Sequence, residues 1–375
     1  MKKRNTFLDI VKYFTMFLVI WGHVVQQTFI ASNSISPFND YIYQIIYTMH
    51  MPLFMGLCGF FYAQPVSFSS SAIFNKEKLI YRLKALLIPM IVVGGVKLIL
   101  ESLIINKELS LINYYKSVHG IWFLGDLAIN TVIVSLVILF CKGSIKHDCK
   151  YFLLGIPIAV IPIVGYSVLG LFMYLFFVIG FLFKFYYKGE YYSLLEHWRK
   201  VLFIYIVCLG LYNNMPYEPS SFILSFKKYT LENIIVVDFL KTVLALSGSY
   251  LMLFSVYKIL PFLRGTWLEL RAIEQGKHTL DIYLIQIIIL ETIGGYLYHN
   301  YVKETGLNIF HSYGFLFEII STFVCSCIMM EIIVFAGRLA NKNYYIAKLL
   351  FYRDNREIVD CSKKIGRDGS KDQVN

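Results

Sequence analysis

The sequence predicts an all-α integral membrane protein, a polytopic bundle of about ten transmembrane helices with both termini cytoplasmic. Three observations carry this. The 375 residues are 57% hydrophobic and only 16% charged, whereas about a quarter of residues are charged in ordinary soluble domains. Mean hydropathy is +0.60, and apolar runs long enough to cross a hydrocarbon core of about 30 Å recur along the chain. Lysines and arginines gather in alternate loops, so the net charge of +11 reports cytoplasmic segments and not nucleic-acid binding.

The spans fall at about 7–29, 41–62, 82–104, 118–141, 151–165, 167–187, 201–216, 234–260, 278–298 and 313–336. The fifth and sixth are parted only by Gly165 and Tyr166, and the fifth holds Pro157 and Pro162, so nine spans stay open as an alternative to ten. With the N-terminus inside, roughly 27 basic residues face in and about 5 face out. The inward set includes Lys2 to Arg4, Lys76 to Lys84, Lys142 to Lys150, Lys184 to Lys200, Lys258 to Lys277 and the tail from Arg338; the outward set is Lys107, Lys116, Lys227, Lys228 and Lys303. The first span follows MKKR without a small-residue cleavage site and is expected to be retained. Residues 1–340 form the membrane domain, and 341–375 read as a basic cytoplasmic tail too polar to fold alone. The outer loops, about 105–117 and 217–233, are too short for an extracellular domain. Seven cysteines lie in spans or on cytoplasmic segments, where no disulfide is expected, and Cys325-x-Cys327 lacks the second pair or histidine of a zinc site.

Within the first span, Asp9, Lys12, His23 and Gln26 share one face, because positions 9, 12, 16, 19, 23 and 26 fall within an arc of about 100° at 100° per residue. A charged group near a bilayer centre costs about 2.5–3.5 kcal/mol on insertion scales, so such groups mark a bundle interior or a watery cavity. Lys12 and His23 lie about 16 Å apart along this stripe, which makes a polar site at each end. His50, about nine residues into the second span, returns to the depth of His23; the plain reading of His50 is a hydrogen bond to neighbouring backbone. HGIWFLGDL opens the fourth span with His119 and Trp122 at the outer interface and Asp126 a turn below. At the inner end stand Lys78, Arg82 and Lys84, then His278, Asp281 and Glu331; Lys78 and Arg82 at i, i+4 share a face suited to phosphate or to positive-inside anchoring.

LDIVKYFTMFLVIWGH resembles the first-helix motif of the bacterial membrane acyltransferase 3 family: leucine, aspartate, two residues, a basic residue, an apolar run, histidine. The likeness continues at HMPLFMGLCGFFY, from Lys78 to Pro89, at HGIWFL and at GKHTLDIYLIQ, and is similar to fucose and polysaccharide O-acetylases without an appended esterase-like domain. Lys12 stands where the family often has arginine, Cys58 where it usually has serine, and Gln286 where the ninth-span motif often ends in histidine.

The resemblance implies an O-acyltransferase of the bacterial cytoplasmic membrane. It implies transfer of an acyl group, usually acetyl, from cytoplasmic acetyl-CoA to a hydroxyl of a cell-surface polysaccharide or lipid-linked glycan. No metal is expected. His23 is the catalytic candidate, as general base or transient acyl carrier, with His50 and Asp126 beside it and Asp126 expected to orient an imidazole. Asp9, Lys12, Lys78, Arg82 and Lys84 are the candidates for the CoA end; His119, Trp122 and Glu291 are those for the acceptor. Two other classes fit a charged multi-span bundle: an exporter or flippase of surface polysaccharide, and an assembly partner of a glycan-synthesis complex. Consumption of acetyl-CoA that depends on His23 separates the enzyme from both.

Overall fold

A computed structural model describes residues 5–30, 40–63, 76–141, 149–156, 167–186, 195–212, 231–298, 300 and 314–352. Among the described residues every regular element is helical. They are α1 (Thr6–Val25), α2 (Tyr41–Tyr62), α3 (Lys76–Ile105), α4 (Leu111–His119), α5 (Trp122–Cys141), α6 (Ser167–Tyr186) and α7 (Trp198–Tyr212). Next come α8 (Leu231–Leu263), α9 (Trp267–Gln275), α10 (Thr279–Gln286), α11 (Phe315–Lys342) and α12 (Tyr344–Phe351). Seven stretches among the described residues are long and apolar enough to cross a membrane, and they fall on α1, α2, α3, α5, α8, α10 with its extension to Leu297, and α11. Two further expected spans are matched by α6, whose apolar stretch Gly170–Lys184 is shorter, and by the 15-residue α7. Of the expected fifth span, residues 157–165 lie outside the described residues, as do the Lys142 to Lys146 loop, the 217–230 loop and the chain beyond 352.

Local chemistry sets several helix starts. The Asn5 side chain accepts from Leu8 N at 3.4 Å and the Asp40 carboxylate accepts from Tyr43 N at 2.8 Å, each satisfying an orphan amide of the first turn. Two π segments interrupt the regular winding: α1 runs on as Gln26–Ile30, and α10 runs on as Ile287–Gly294.

α1 lies at the centre of the bundle, packed against α2, α8, α9, α10 and α11. Its Ile10, Val11, Met16, Ile20 and Val25 are fully buried. α2 and α6 make the tightest crossing: a Cβ on Gly180 would overlap the Gly56 carbonyl, and one on Gly59 would overlap the Phe177 carbonyl. Small residues serve this purpose in membranes, where close backbone approach replaces the hydrophobic drive. At the other end of α1, the turn after α9 puts Gly276 directly against the Asp9 carbonyl, which ties the first motif to the α9–α10 turn.

Two short helices lie in segments expected to be irregular. α4 occupies part of the expected 105–117 loop, capped by Ser110, whose hydroxyl accepts from Asn113 N at 3.4 Å. α12 lies within the expected 341–375 tail, so regular structure runs past Ala340. Its YYIAKLLF is amphipathic: Ala347 and Phe351, one turn apart, are buried, and the helix packs on α3.

A candidate active site at the end of the first helix

The polar stripe of α1 meets three other elements where α1 changes to π winding. His23 Nε2 lies 3.5 Å from Glu291 Oε1, and Lys97 Nζ of α3 lies 3.3 Å from Glu291 Oε2. Gln286 Nε2 donates to Glu291 Oε1 at 3.2 Å. Glu291 thus gathers an imidazole, an ammonium and an amide around one carboxylate. Gln286 is fully buried, and the other three side chains are 15–21% exposed.

The winding explains why Gln286 and Glu291 meet. Five residues apart in an α-helix, two side chains point about 140° from each other. The π segment closes i to i+5 contacts, seen in Thr292 Oγ1 donating to the Ile287 carbonyl at 3.0 Å, and brings position 291 round over 286. Gln26 and Gln27 turn with the π end of α1: Gln26 Oε1 accepts from Tyr47 OH at 3.4 Å, and the Gln27 amide lies against Gly295.

His50 is an electrostatic neighbour of His23. Its Nδ1 is 2.6 Å from the Ile46 carbonyl, and its ring meets the Tyr47 ring edge-on at 4.7 Å. The backbone bond weighed for it in the sequence is therefore present. His23 Nδ1 is buried with no hydrogen-bond partner.

Asp126 departs from its expectation. It is fully buried, and neither carboxylate oxygen has a hydrogen-bond partner, so it orients no imidazole. Depth alone was the ground for that pairing, and depth does not fix azimuth: Asp126 shares its face of α5 with Phe123, which packs on Phe54 and Tyr283, and Asn130, whose amide faces Met55. The carboxylate beside His23 is Glu291. His119 and Trp122 flank the α4–α5 turn, with the His119 ring 5.8 Å from Tyr115 and the Trp122 ring 6.1 Å from Phe123. Between them, a Cβ built on Gly120 would lie 3.7 Å from Lys97 Nζ, so this turn covers the lysine.

At the opposite end of α1, Asp9 and Lys12 form a buried ion pair at 2.8 Å. Lys12 Nζ also lies 4.9 Å from the Phe61 ring centroid and the Arg82 guanidinium 4.6 Å from that of Tyr62, so adjacent aromatics of α2 each carry a cation. Lys78 and Arg82 line a surface depression of about 400 Å³ with Glu77 and Tyr81. Lys84 is exposed and does not join that lining, since two residues from Arg82 it points about 160° away around the helix. His278 Nδ1 lies 3.4 Å from Asp281 Oδ2, which also accepts from Asn341 at 3.2 Å, and Glu331 pairs with Arg271.

Lys97 is a member of the cluster that the motifs do not point to, although the sequence carries a signal for it. With Lys12 and Lys241, it is a lysine that neither the inner nor the outer set of basic residues claims, which leaves it inside a span.

Residues 5–335 match a family model described as an acyltransferase domain. The chain belongs to this acyltransferase family. It is also 22% identical over 299 residues to the nodulation protein NolL of Sinorhizobium fredii (strain NBRC 101917 / NGR234), a match covering 76% of this chain and 77% of that protein. No solved structure matches it. Family membership and the apolar helices make this a multi-pass membrane protein of acyltransferase type. The family match spans both polar ends of α1 and every element that builds them except α12 and the end of α11.

Proposed function

We propose that this protein is an O-acyltransferase of the bacterial cytoplasmic membrane, moving an acetyl group from acetyl-CoA to a hydroxyl of a surface polysaccharide or lipid-linked glycan. The observation that carries the reading is the His23–Glu291–Lys97 cluster in a chain of an acyltransferase family. A sugar hydroxyl is a weak nucleophile at neutral pH and needs a base within reach. Glu291, on the Nε2 side of His23, favours the tautomer with its proton there and leaves the unpartnered Nδ1 as the base. As the hydroxyl oxygen attacks the thioester carbonyl, its proton passes to Nδ1, the C–S bond breaks, and the departing thiolate takes that proton back. Glu291 stabilises the imidazolium formed between, and Lys97 and Gln286 hold Glu291 in place.

The donor enters from the other end. Lys78 and Arg82 supply cations for the CoA phosphates, and Tyr81 in the same lining offers the adenine a ring. Arg82 and Lys97 are 15 residues apart on one helix, about 22 Å, which the narrow pantetheine arm bridges beside Lys12 of α1 and Cys58 of α2. Lys12, already paired to Asp9, sets the electrostatics of that passage and is not a free phosphate ligand.

The test is His23→Ala in membranes given acetyl-labelled CoA. Labelling of the cell's glycan is expected to fall by about 10²–10⁴-fold while the protein remains in the membrane at its normal level. Undiminished labelling would discard the proposal.

A further inference from the structure

A second hollow lies next to the His23 cluster. It measures about 260 Å³ and is lined by Glu101, Ile104, Ile105, Glu291, Thr292, Tyr296 and Asn300. It sits between the end of α3 and the π segment after α10. Glu291 belongs to both: one carboxylate touches His23 and forms a wall of the hollow.

Resting on the acyl-transfer reading above, we propose that this hollow seats a single uncharged pyranose ring of the acceptor, and that its carboxylates exclude acidic sugars. Size selects one ring. The hollow is smaller than the roughly 300–1,000 Å³ of pockets that enclose a drug-sized ligand, so a nucleotide or several sugars do not fit. Chemistry selects a sugar. Two carboxylates, a threonine, a carboxamide and a phenol supply hydrogen-bond acceptors and donors for hydroxyls, while the tyrosine ring and two isoleucines supply apolar area for the C–H face of a ring.

Charge selects a neutral one. Glu101 is held by Lys107 and by Ser117, whose hydroxyl donates to it at 3.5 Å, and Glu291 is held by Lys97. Yet neither lysine is part of the lining; the carboxylates are. An anionic ring or a phosphate entering the hollow meets two like charges in a low-dielectric wall. That repulsion keeps CoA phosphates out as well, so donor and acceptor are sorted to opposite ends of α3.

The experiment is saturation-transfer NMR on the full-length protein in lipid nanodiscs, with methyl glucoside, methyl fucoside, methyl N-acetylglucosaminide and methyl glucuronide as probes. At least one neutral glycoside is expected to bind, and the glucuronide about tenfold or more weakly than the glucoside, a difference of ~1.4 kcal/mol. Tyr296→Ala is expected to weaken the neutral glycoside by about tenfold, while Tyr296→Trp keeps it and shows that the fold survives change at this position. Glu101→Gln narrows the gap between glucoside and glucuronide. Binding of no neutral glycoside, equal binding of the glucuronide, or binding unchanged by Tyr296→Ala overturns the proposal. His23→Ala separates the two readings: it lies outside the lining, so sugar binding persists even where transfer is lost. Retained transfer in that variant with Tyr296-dependent binding removes the mechanism and leaves the sugar seat standing.

Discussion

Glu291 holds two neighbours at once, the His23 imidazole at 3.5 Å and the Lys97 ammonium at 3.3 Å, and its side chain is 18% exposed. Removing one member of such a group leaves the others desolvated without compensation. Glu291→Gln is therefore expected to destabilise the protein by about 1–3 kcal/mol, less than a fully buried pair costs because these side chains keep some exposure, read as a lower midpoint of thermal unfolding in detergent. Adding Lys97→Met to that variant should recover much of the stability, because the stranded ammonium is gone, but not the transfer activity. A double mutant that regains both would mean that the cluster serves only packing. Asp126 presents the opposite case, a fully buried carboxylate with no partner on either oxygen. An unsatisfied buried group costs about 1–3 kcal/mol, so Asp126→Leu should raise the unfolding midpoint, and a fall would show that a partner is recruited there.

At the scale of elements, the site depends on close helix contact and on irregular winding. Gly180 on α6 sits against the Gly56 carbonyl of α2, a backbone atom that cannot swing aside. Gly180→Ala is expected to cost about 1–3 kcal/mol by overpacking, seen in thermal unfolding, whereas Gly210→Ala, with nothing within 4 Å of its Cβ position, should cost nothing and even gain from helix propensity. The π segment Ile287–Gly294 has a functional reading in the same terms: it turns Glu291 toward Gln286 and His23. Deleting one residue from it, Ile288 or Ile289, would rewind the helix and carry Glu291 out of the cluster. Loss of transfer with the protein still folded is the expected result, and full activity would show that the extra residue has no such role.

Across the whole molecule, α3 joins two unlike depressions, cationic near Lys78 and Arg82 and carboxylate-lined near Glu101 and Glu291. The proposed reaction uses this polarity. Lys78→Ala with Arg82→Ala should raise KM for acetyl-CoA about tenfold or more, while Lys84→Ala, on the other side of the helix, changes it less. The decisive control is acetyl-CoA lacking its ribose phosphate: if Lys78 and Arg82 read phosphate, the double variant should discriminate less between the two donors than the native protein does. Unaltered discrimination would move the donor site elsewhere.

Much of this was legible in one dimension. Composition and apolar run length disclose helices that must hide their backbone in a bilayer, because nothing else satisfies amide groups there. The bounds of α2 agree with the run read from 41–62, and α8 and α11 are found within a few residues of their expected runs. The stripe of Asp9, Lys12, His23 and Gln26 follows from the helical repeat and needs no partner to be seen. What the sequence could not disclose is which side chains face one another across helices. Depth along a span is a count of residues, but facing is a rotation, and it changes wherever the winding does. Asp126 is placed near an imidazole by residue count alone, and its carboxylate meets none. Glu291, 268 residues from His23 in the chain, comes to the imidazole only because packing around α1 and a π turn bring it there. The chain by itself determined a membrane bundle with polar ends; the tertiary structure alone decided that His23, Lys97 and Glu291 form one site, since only packed helices with set rotations bring groups so distant in sequence within hydrogen-bonding reach.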